Sequence, residues 1–378
     1  MCKLKSAIIL KDRVFISDHD SHSKMLEELG ITDDYINASK VFVRAELSPE
    51  NKDVFSDIDG WEFSVDQDIT PEWFDKKDCA ERMKKAVKEW AKTHIFVEQN
   101  NLEISHGENI FIKDCKNVNI CNNAVVEHIC GDTVVGCICN NAMVNNIYDN
   151  AIVGRICDKA AVNNIYNNAL IEYIYGSAIV KRIYDNAVVE NLGDSAIVEN
   201  IYGDATVEYV YDNATIEYVC GTAEIERVYD IATIYSIRGN ATVDDIWGNA
   251  TVKDIYDNAT IKNIFGNAVI GNIFGNAIVN NICGNALVKN IYGSATINSI
   301  CDHATVNIIY GNTTVNNIYG NARVDKICDN IIIISSMYGK WNNSTSMVID
   351  GNATFKDCYS KAIYQAGGWK FVKIKRGK

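Results

Sequence analysis

A strict nine-residue repeat fills the sequence from Ala124 to Asn330, in 23 consecutive units without an insertion. Numbered from its alanine, position 1 of the unit is Ala in 21 units and Thr in the other two. Position 3 is always Val or Ile, and position 6 is always Ile, Leu or Val. Position 7 is mostly Tyr, Phe or Cys, position 8 is Gly, Asp or Asn throughout, and position 9 is most often Asn.

Each part of the unit has its own conformational preference. Positions 1 and 3 lie on one side of an extended segment, because side chains alternate along a strand. The polar residues at positions 4 and 5 allow a bend that returns position 6 to the same side. Gly, Asp and Asn at position 8 tolerate positive φ and predict a tight corner. One unit therefore supplies three inward apolar side chains and one turn, and only stacked coils can enclose them.

The spacing of the apolar residues argues against a helix. An amphipathic helix needs them at i, i+3, i+4 and i+7, whereas here they recur at positions 1, 3 and 6 of nine. Both prolines, Pro49 and Pro71, precede the repeats, as a long ladder of backbone hydrogen bonds requires. We therefore predict a mainly β fold, a parallel β-solenoid of nonapeptide repeats with a small N-terminal α+β domain and a C-terminal cap.

The number of units in one coil stays open at this stage. Two units give a coil of 18 residues, which equals the sequence separation of Cys283 and Cys301. Cys121, Cys139 and Cys157 recur at the same spacing, which favours two units. A rod of such coils would be roughly 55–60 Å long at the usual distance between neighbouring strands. Three units would give a triangular coil and a rod of about 40 Å.

The sequence divides into three regions. Residues 1–100 predict the small α+β domain that caps one end of the rod, residues 101–335 are the solenoid, and residues 336–378 are irregular last coils and a basic cap. In the first region we expect a hairpin of Ala7–Leu10 and Val14–Ile16, a helix over 22–29, strands Val41–Leu47 and Trp61–Val65, and a helix over Asp75–His94.

Three segments of the first region carry a resemblance: Phe42–Leu47, Val65–Asp68 and Ala86–Lys92. With the tandem repeats behind them, they make the chain similar to a group of uncharacterised bacterial and phage proteins in which such a domain precedes short repeats. The repeats also loosely resemble those of hexapeptide, pentapeptide and RTX solenoids. The resemblance implies an architecture and no site residues. The Gly-Gly-x-Gly-x-Asp calcium pattern of RTX repeats is absent.

The formal net charge of −13 is unevenly distributed. Residues 1–114 carry −8, residues 115–335 carry −11 and residues 336–378 carry +6. An acidic rod disfavours direct nucleic-acid binding.

No signal peptide opens the chain and no apolar stretch reaches membrane-spanning length. We expect a cytoplasmic protein with an unknown protein partner and no membrane partner; self-association into a homo-oligomer stays open.

The N-terminal region contains one dense titratable cluster, Asp18–His22. His19 and His22 could contribute to a metal site, but acids and Ser before an apolar segment are typical of a helix N-terminus. We favour the helix and predict no metal, no cofactor and no catalytic residue.

Cysteine and tyrosine exchange at position 7. Eight of the 13 cysteines lie at this position or its equivalent, and we interpret them as small apolar packing residues. Cys137 and Cys139 form an isolated Cys-x-Cys motif, and zinc needs about four ligands. The tyrosines predict stacking along the rod, with an exposed binding surface as the alternative. The Asn residues at position 9 predict a hydrogen-bonded ladder along one corner.

We weigh four functions. The first is a non-enzymatic protein-interaction scaffold, and the second is a partial DNA mimic that inhibits a nucleic-acid-binding enzyme. The rod carries one net negative charge per roughly 5 Å, against one per about 1.7 Å in duplex DNA. The third is an enzyme in the N-terminal region, where the sequence shows no recognisable catalytic site. The fourth is ice or polysaccharide binding, and the residues at position 2 are too irregular for an ice lattice. The candidate surface follows the aromatic residues and the acidic segment of residues 190–260: Tyr202, Tyr211, Tyr229, Trp247, Tyr256, Glu208, Glu217, Asp244 and Asp245.

Overall fold

The computed structural model describes residues 5–328, 331–334, 348–350 and 354–356. The N-terminal domain contains strands β1 (Lys5–Leu10), β2 (Val14–Phe15), β3 (Phe42–Ser48) and β4 (Glu62–Val65) and helices α1 (His22–Glu28), α2 (Tyr35–Ala38) and α3 (Lys76–His94). Two 3-10 turns span Glu50–Lys52 and Ile58–Gly60.

The remaining strands follow one another along the rest of the described chain. They are β5 (Ile95–Val97), β6 (Asn100–Ile104), β7 (Ile110–Lys113), β8 (Lys116–Ile120), β9 (Val125–Cys130), β10 (Val134–Ile138), β11 (Met143–Ile147), β12 (Ile152–Ile156), β13 (Ala161–Ile165), β14 (Leu170–Ile174), β15 (Ile179–Ile183), β16 (Val188–Leu192), β17 (Ile197–Ile201), β18 (Thr206–Val210), β19 (Thr215–Val219), β20 (Glu224–Val228), β21 (Thr233–Ile237), β22 (Thr242–Ile246), β23 (Thr251–Ile255), β24 (Thr260–Ile264), β25 (Val269–Ile273), β26 (Ile278–Ile282), β27 (Leu287–Ile291), β28 (Thr296–Ile300), β29 (Thr305–Ile309), β30 (Thr314–Ile318), β31 (Arg323–Cys328), β32 (Ile332–Ile334), β33 (Val348–Asp350) and β34 (Thr354–Lys356).

The N-terminal domain is a four-stranded antiparallel sheet in the order β2-β1-β3-β4, with helices on both faces. The predicted hairpin, both strands and both helices are present with slightly shifted boundaries. Helix α3 starts at Asp75, whose side chain accepts a hydrogen bond from the Asp78 amide. Its apolar face, with Met83 and Val87, is buried against Ala7 and Ile9.

The strands after α3 form the predicted parallel β-solenoid. From β5 to β34, odd-numbered strands make one 15-stranded sheet and even-numbered strands make another, here called the odd sheet and the even sheet. Within the repeats each strand pairs with the second strand after it, as Val134 does with Ile152. One coil is therefore two repeat units, which confirms the shorter of the two coils considered. The spacings between the 15 strands of a sheet, at about 4.8 Å each, give a rod of roughly 65–70 Å.

The interior of the rod is the predicted apolar column. Side chains at positions 1, 3 and 6 have an exposed fraction of 0% from Ala124 to Ile309. The two units that begin with Thr keep this packing, because Thr133 and Thr313 donate their hydroxyls to the carbonyls of Cys130 and Tyr310. A single continuous hydrophobic cluster runs from Ile104 to Ile331.

Position 8 forms the predicted corner. Every residue at this position from Gly131 to Gly320 has positive φ, including the non-glycine residues. Where Gly stacks on Gly the backbones come very close: a Cβ added at Gly266 would lie 2.9 Å from the Gly248 amide nitrogen. The corner therefore uses residues that accept the left-handed conformation, and glycine where coils stack most tightly.

The first coils lie outside the strict repeat. Strands β5 to β8 pair at a shorter spacing than the repeats do, as Ile95 pairs with Phe111 and Asn100 with Lys116. Phe111, on β7, is buried in the core of the N-terminal domain. The rod is thus longer than the repeats alone predict, and its first coils pack against α3.

At the far end, the predicted basic cap lies outside the described residues, except for the short strands β33 and β34. Among the helices that the structure describes, none combines the length and the apolar character needed to cross a membrane.

Candidate interaction surface

A row of acidic side chains runs along the outside of the even sheet. Position 4 follows the buried position 3 and points outward at the bend of each strand, and paired strands bring position 4 of successive coils side by side. In five successive coils this position is acidic. We call these residues the acidic row: Glu172, Glu190, Glu208, Glu226 and Asp244. At about 4.8 Å per coil the row extends for about 19 Å.

The carboxylates of the acidic row repel one another, and few cations offset this repulsion. Within the described part of the chain, the four glutamate carboxylates have no hydrogen bond or ion pair, whereas Asp244 pairs with Lys262 of the next coil at 2.6 Å. Partial burial, and then the neighbouring Glu226 and Glu190, raise the pKa of Glu208 above its ordinary value. Like charges placed side by side on a sheet are destabilising. The four glutamates of the row therefore present carboxylates without a paired cation, which a cationic partner could neutralise.

Other acidic residues of the rod have a structural role instead. Aspartates at position 8 accept hydrogen bonds from the backbone amide of position 8 in the preceding coil, as Asp149 does from Gly131 at 3.1 Å and Asp302 from Gly284 at 3.1 Å. These carboxylates satisfy amides that no backbone carbonyl reaches. The net charge of the rod thus combines structural aspartates with the outward carboxylates of position 4.

The odd sheet has a different surface. Its position-4 residues opposite the acidic row are mixed: Lys181, Glu199, Glu217, Tyr235 and Lys253. An open depression of about 450 Å³ lies there, lined by Tyr218, Tyr235, Ser236, Arg238, Lys253, Asp254, Tyr256 and Asp257. Arg238 lies over the Tyr218 ring at 5.0 Å and Lys253 over the Tyr235 ring at 4.9 Å. Cation–π contacts already occupy both exposed rings from one side.

The aromatic residues of position 7 form stacks along the two edges where the chain turns between the sheets. Tyr148, Tyr166, Tyr184 and Tyr202 stack at 5.0 Å with interplanar angles of 9° or less. Burial raises the pKa of Tyr166 to about 12. The rings are mostly half-buried, and Trp247 is 38% exposed. The predicted stacking is present, and it stabilises neighbouring coils through the ring faces.

The nine residues of the predicted surface do not converge. Tyr202 and Tyr256 follow strands of the odd sheet, whereas Tyr211, Tyr229 and Trp247 follow strands of the even sheet and lie at the other edge. Glu208, Asp244 and Asp245 lie on the even sheet, and Glu217 lies on the odd sheet. Of the predicted set, Glu208, Asp244 and Asp245 lie on the even sheet with the rest of the acidic row, and Tyr211, Tyr229 and Trp247 stack along one edge of that sheet.

Sequence reasoning missed the remaining members of this row because their alignment depends on the coil length. With two units per coil, Glu172, Glu190 and Glu226 lie on the same sheet as Glu208; with three, they would be distributed over different faces of the coil. The only sequence signal is a run of acidic residues at position 4 of every second unit.

Coil stacking also changes the interpretation of the cysteines. Cys283 and Cys301 lie in adjacent coils and form a disulfide, so their assignment as simple packing residues is wrong. Cys137 and Cys139 are not isolated: the Cys137 sulfur lies 3.7 Å from that of Cys157 in the next coil. Burial, and then the neighbouring thiols Cys139 and Cys157, raise the pKa of Cys137 to about 12.

The asparagine ladder is present at both edges rather than at one. The Asn141 amide donates to Asn123, and Asn258 donates to Asn240, each across one coil. Two units per coil place position 9 at both edges, so the expectation of a single corner is wrong.

In the N-terminal domain, the side chains of His19 and His22 do not share a site. The imidazole of His19 lies 2.8 Å from the Glu28 carboxylate at the surface, whereas His22 turns inward beneath α1. The helix predicted from this cluster is present and starts at Ser21, whose hydroxyl accepts from the Lys24 amide. A site that uses both histidines is therefore excluded.

Comparison with known proteins gives no further assignment: no family model, no curated protein and no solved structure matches this chain.

Proposed function

We propose that the chain is a non-enzymatic interaction scaffold, in which the even sheet binds a basic surface of a partner protein. The observation that supports this most directly is the acidic row. Five carboxylates in register on a rigid sheet are costly to keep together, and the fold provides only one of them with a cation among the described residues. A basic partner would remove that repulsion on binding.

The rigidity of the rod also supports a binding role. The backbone at position 4 is fixed by strands that pair on both sides, so little backbone entropy is lost when a partner docks. Electrostatic complementarity of this kind mainly raises association rate and specificity, and it weakens with added salt. We include in the proposal a relation to phage or mobile-element proteins and a cytoplasmic location.

The matched experiment compares two double variants. Glu190→Gln/Glu208→Gln neutralises the centre of the acidic row, whereas Glu199→Gln/Glu217→Gln removes the same charge at position 4 of the odd sheet. Each variant and the wild-type chain would be immobilised to capture partners, and the affinity of each captured protein would then be measured at two salt concentrations.

We expect the even-sheet variant to weaken binding at least tenfold at low salt and the odd-sheet variant to leave it nearly unchanged. The factor corresponds to about 1.4 kcal/mol. Equal losses in both variants would mean that only net charge matters and would contradict a docking surface on the even sheet.

Partial DNA mimicry is the alternative, and the same acidic row is the feature that favours it. Its carboxylates follow one another at about 4.8 Å in a single file, whereas phosphates of one DNA strand repeat at about 3.4 Å and face a second strand. The fit to a duplex-binding cleft is therefore poor. Inhibition of a DNA-binding enzyme that is lost in Glu190→Gln/Glu208→Gln would favour mimicry over the scaffold.

A further inference from the structure

A second polar cluster lies in the N-terminal domain, away from the rod. His22 from α1, Glu46 from β3 and Asp66, just beyond β4, place one ligand atom each within 4.8 Å of one another. We propose that these three residues bind a transition-metal dication. The proposal is independent of the function assigned to the acidic row.

The hydrogen bonds of His22 leave a position for a cation. Its Nε2 lies 3.1 Å from the Ala45 carbonyl oxygen, and its Nδ1 lies 3.2 Å from a carboxylate oxygen of Asp66. A neutral imidazole has one N–H. When Nε2–H donates to Ala45, the Nδ1 lone pair faces the Asp66 carboxylate, and a cation between them removes the repulsion. Metal-bound histidines commonly donate their second N–H to a backbone carbonyl in this way.

The unpartnered carboxylate of Glu46, a residue that is largely buried, is the feature that distinguishes this cluster. Glu46 is only 9% exposed, yet within the described residues its carboxylate has no hydrogen bond or ion pair. Its cross-strand partner Ser6 is fully buried, and the Ser6 hydroxyl has no hydrogen-bond partner among those residues either. A carboxylate on a residue this little exposed loses part of its hydration without gaining a partner. A bound dication would compensate it, with the Ser6 hydroxyl available for a water ligand.

A comparison within the same domain supports the importance of Glu46. His94 also faces a carbonyl and a carboxylate, those of Trp90 and Asp18. It has no further carboxylate within reach among the described residues. At His22 a third, buried ligand is present.

One ligand of the cluster, Asp66, faces solvent. The Asp66 side chain is 59% exposed and lines an open depression of about 610 Å³ beside Arg44 and Gln67. An ion binds such ligands at about 2.0–2.2 Å, and the exposed Asp66 carboxylate can rotate toward the buried pair. One imidazole with two carboxylates suits zinc, iron or manganese more than calcium, which takes oxygen ligands.

Cobalt(II) is the sharpest probe, because this chain also contains thiols that bind metals. Nitrogen and oxygen ligands give only weak visible absorption, whereas thiolate ligands add intense near-ultraviolet charge-transfer bands. The full-length reduced protein would be titrated with Co²⁺ and followed by absorption and by thermal unfolding. The variants are Glu46→Gln and His22→Gln. The control is His19→Gln, which removes a histidine paired with a single carboxylate, Glu28.

We expect one Co²⁺ with visible bands of nitrogen and oxygen ligands, and an increase in Tm on binding. Both Glu46→Gln and His22→Gln should weaken binding at least about tenfold, while His19→Gln should not. Without metal, Glu46→Gln should be at least as stable as wild type, because it removes a buried charge; this shows that the loss of binding is not unfolding.

Two results would overturn the proposal. One is Co²⁺ bound through thiolates alone, with bands that disappear in Cys137→Ser and persist in Glu46→Gln. The other is the absence of any binding that Glu46→Gln weakens, which would leave His22 as a hydrogen-bond partner of Ala45 and Asp66 only.

Discussion

At the scale of single residues, position 8 decides how neighbouring coils meet. An aspartate there adopts positive φ and accepts a hydrogen bond from the amide of the preceding coil; Asp149, with φ of 58°, is an example. Asp and Asn are the side chains that accept this conformation most readily after glycine. Along the rod, a glycine at position 8 thus allows a close backbone contact between coils, whereas an aspartate caps a backbone amide of the preceding coil.

Replacing Asp149 tests both contributions. Asp149→Ala loses the cap for the Gly131 amide and places a non-polar residue at positive φ, so we expect a loss of about 1–3 kcal/mol in the free energy of unfolding. Asp149→Gly loses the cap without the conformational cost and should lose less. Urea unfolding measures the order. An alanine variant as stable as the glycine variant would show that backbone conformation contributes nothing there.

The thiol of Cys137 gives a residue-scale prediction for pH. Burial and its thiol neighbours raise its pKa to about 12, so the reactive thiolate is scarce at neutral pH. We expect alkylation of Cys137 in the native protein to be slow at neutral pH and to accelerate as pH rises, with the increase continuing towards its raised pKa while the fold persists. Peptide mass spectrometry after timed alkylation measures it. A rate that levels off near the ordinary pKa of a thiol would contradict the raised pKa.

At the scale of elements, one strand design produces two different surfaces. Strands of both sheets share inward positions 3 and 6, yet position 4 is acidic through five coils of the even sheet and mixed in the facing coils of the odd sheet. The core places no demand on an outward side chain. Because packing does not explain why position 4 differs between the two sheets, a binding function is a physical reason for the difference.

The acidic row predicts an unusual dependence of stability on pH. The pKa of Glu208 is raised in the folded state, so this group destabilises the fold when ionised and stops doing so as pH falls through its folded pKa. At neutral pH, Glu190→Gln/Glu208→Gln should be more stable than wild type by about 0.2–1 kcal/mol for each like-charge pair removed, less at high salt.

The difference between this variant and wild type should shrink as pH falls toward about 4, the ordinary pKa of glutamate. Thermal unfolding across this pH range provides the measurement. Glu199→Gln/Glu217→Gln is the control and should show a smaller effect, because it removes one like-charge pair and also the attraction of Glu199 to Lys181. Lower stability of the even-sheet variant at neutral pH would show that the row is not self-repulsive.

At the scale of the whole molecule, the rod and its N-terminal domain form one continuous structure. The apolar interior would be exposed at an open first coil, and strand edges there could pair with another chain. Helix α3 lies next to β5 and β7, and Phe111 belongs to the domain core. The N-terminal domain thus packs beside the coil from which the solenoid starts.

The shape can be measured in solution. A globular protein of this length has a radius of gyration of roughly 21 Å. A rod of roughly 65–70 Å with a domain at one end should exceed this clearly. Small-angle scattering of the monomer should therefore give a larger radius and an elongated distance distribution. A radius near the globular value would refute the stacked-coil architecture.

Local sequence determined the conformation of this protein because the same nine-residue pattern imposes the same turn and the same buried positions in every unit. The inward Ala, Val and Ile residues, the corner at position 8 and the predicted strands and helices of the N-terminal domain follow from patterns within a few residues of one another. Tertiary structure alone decided which units are neighbours. A two-unit coil brings Cys137 to Cys157, aligns Glu172 through Asp244 and separates Tyr202 from Tyr211, and folding of the N-terminal domain brings Glu46 and Asp66 to His22. These contacts join residues far apart in sequence, whose proximity depends on how the chain closes and packs.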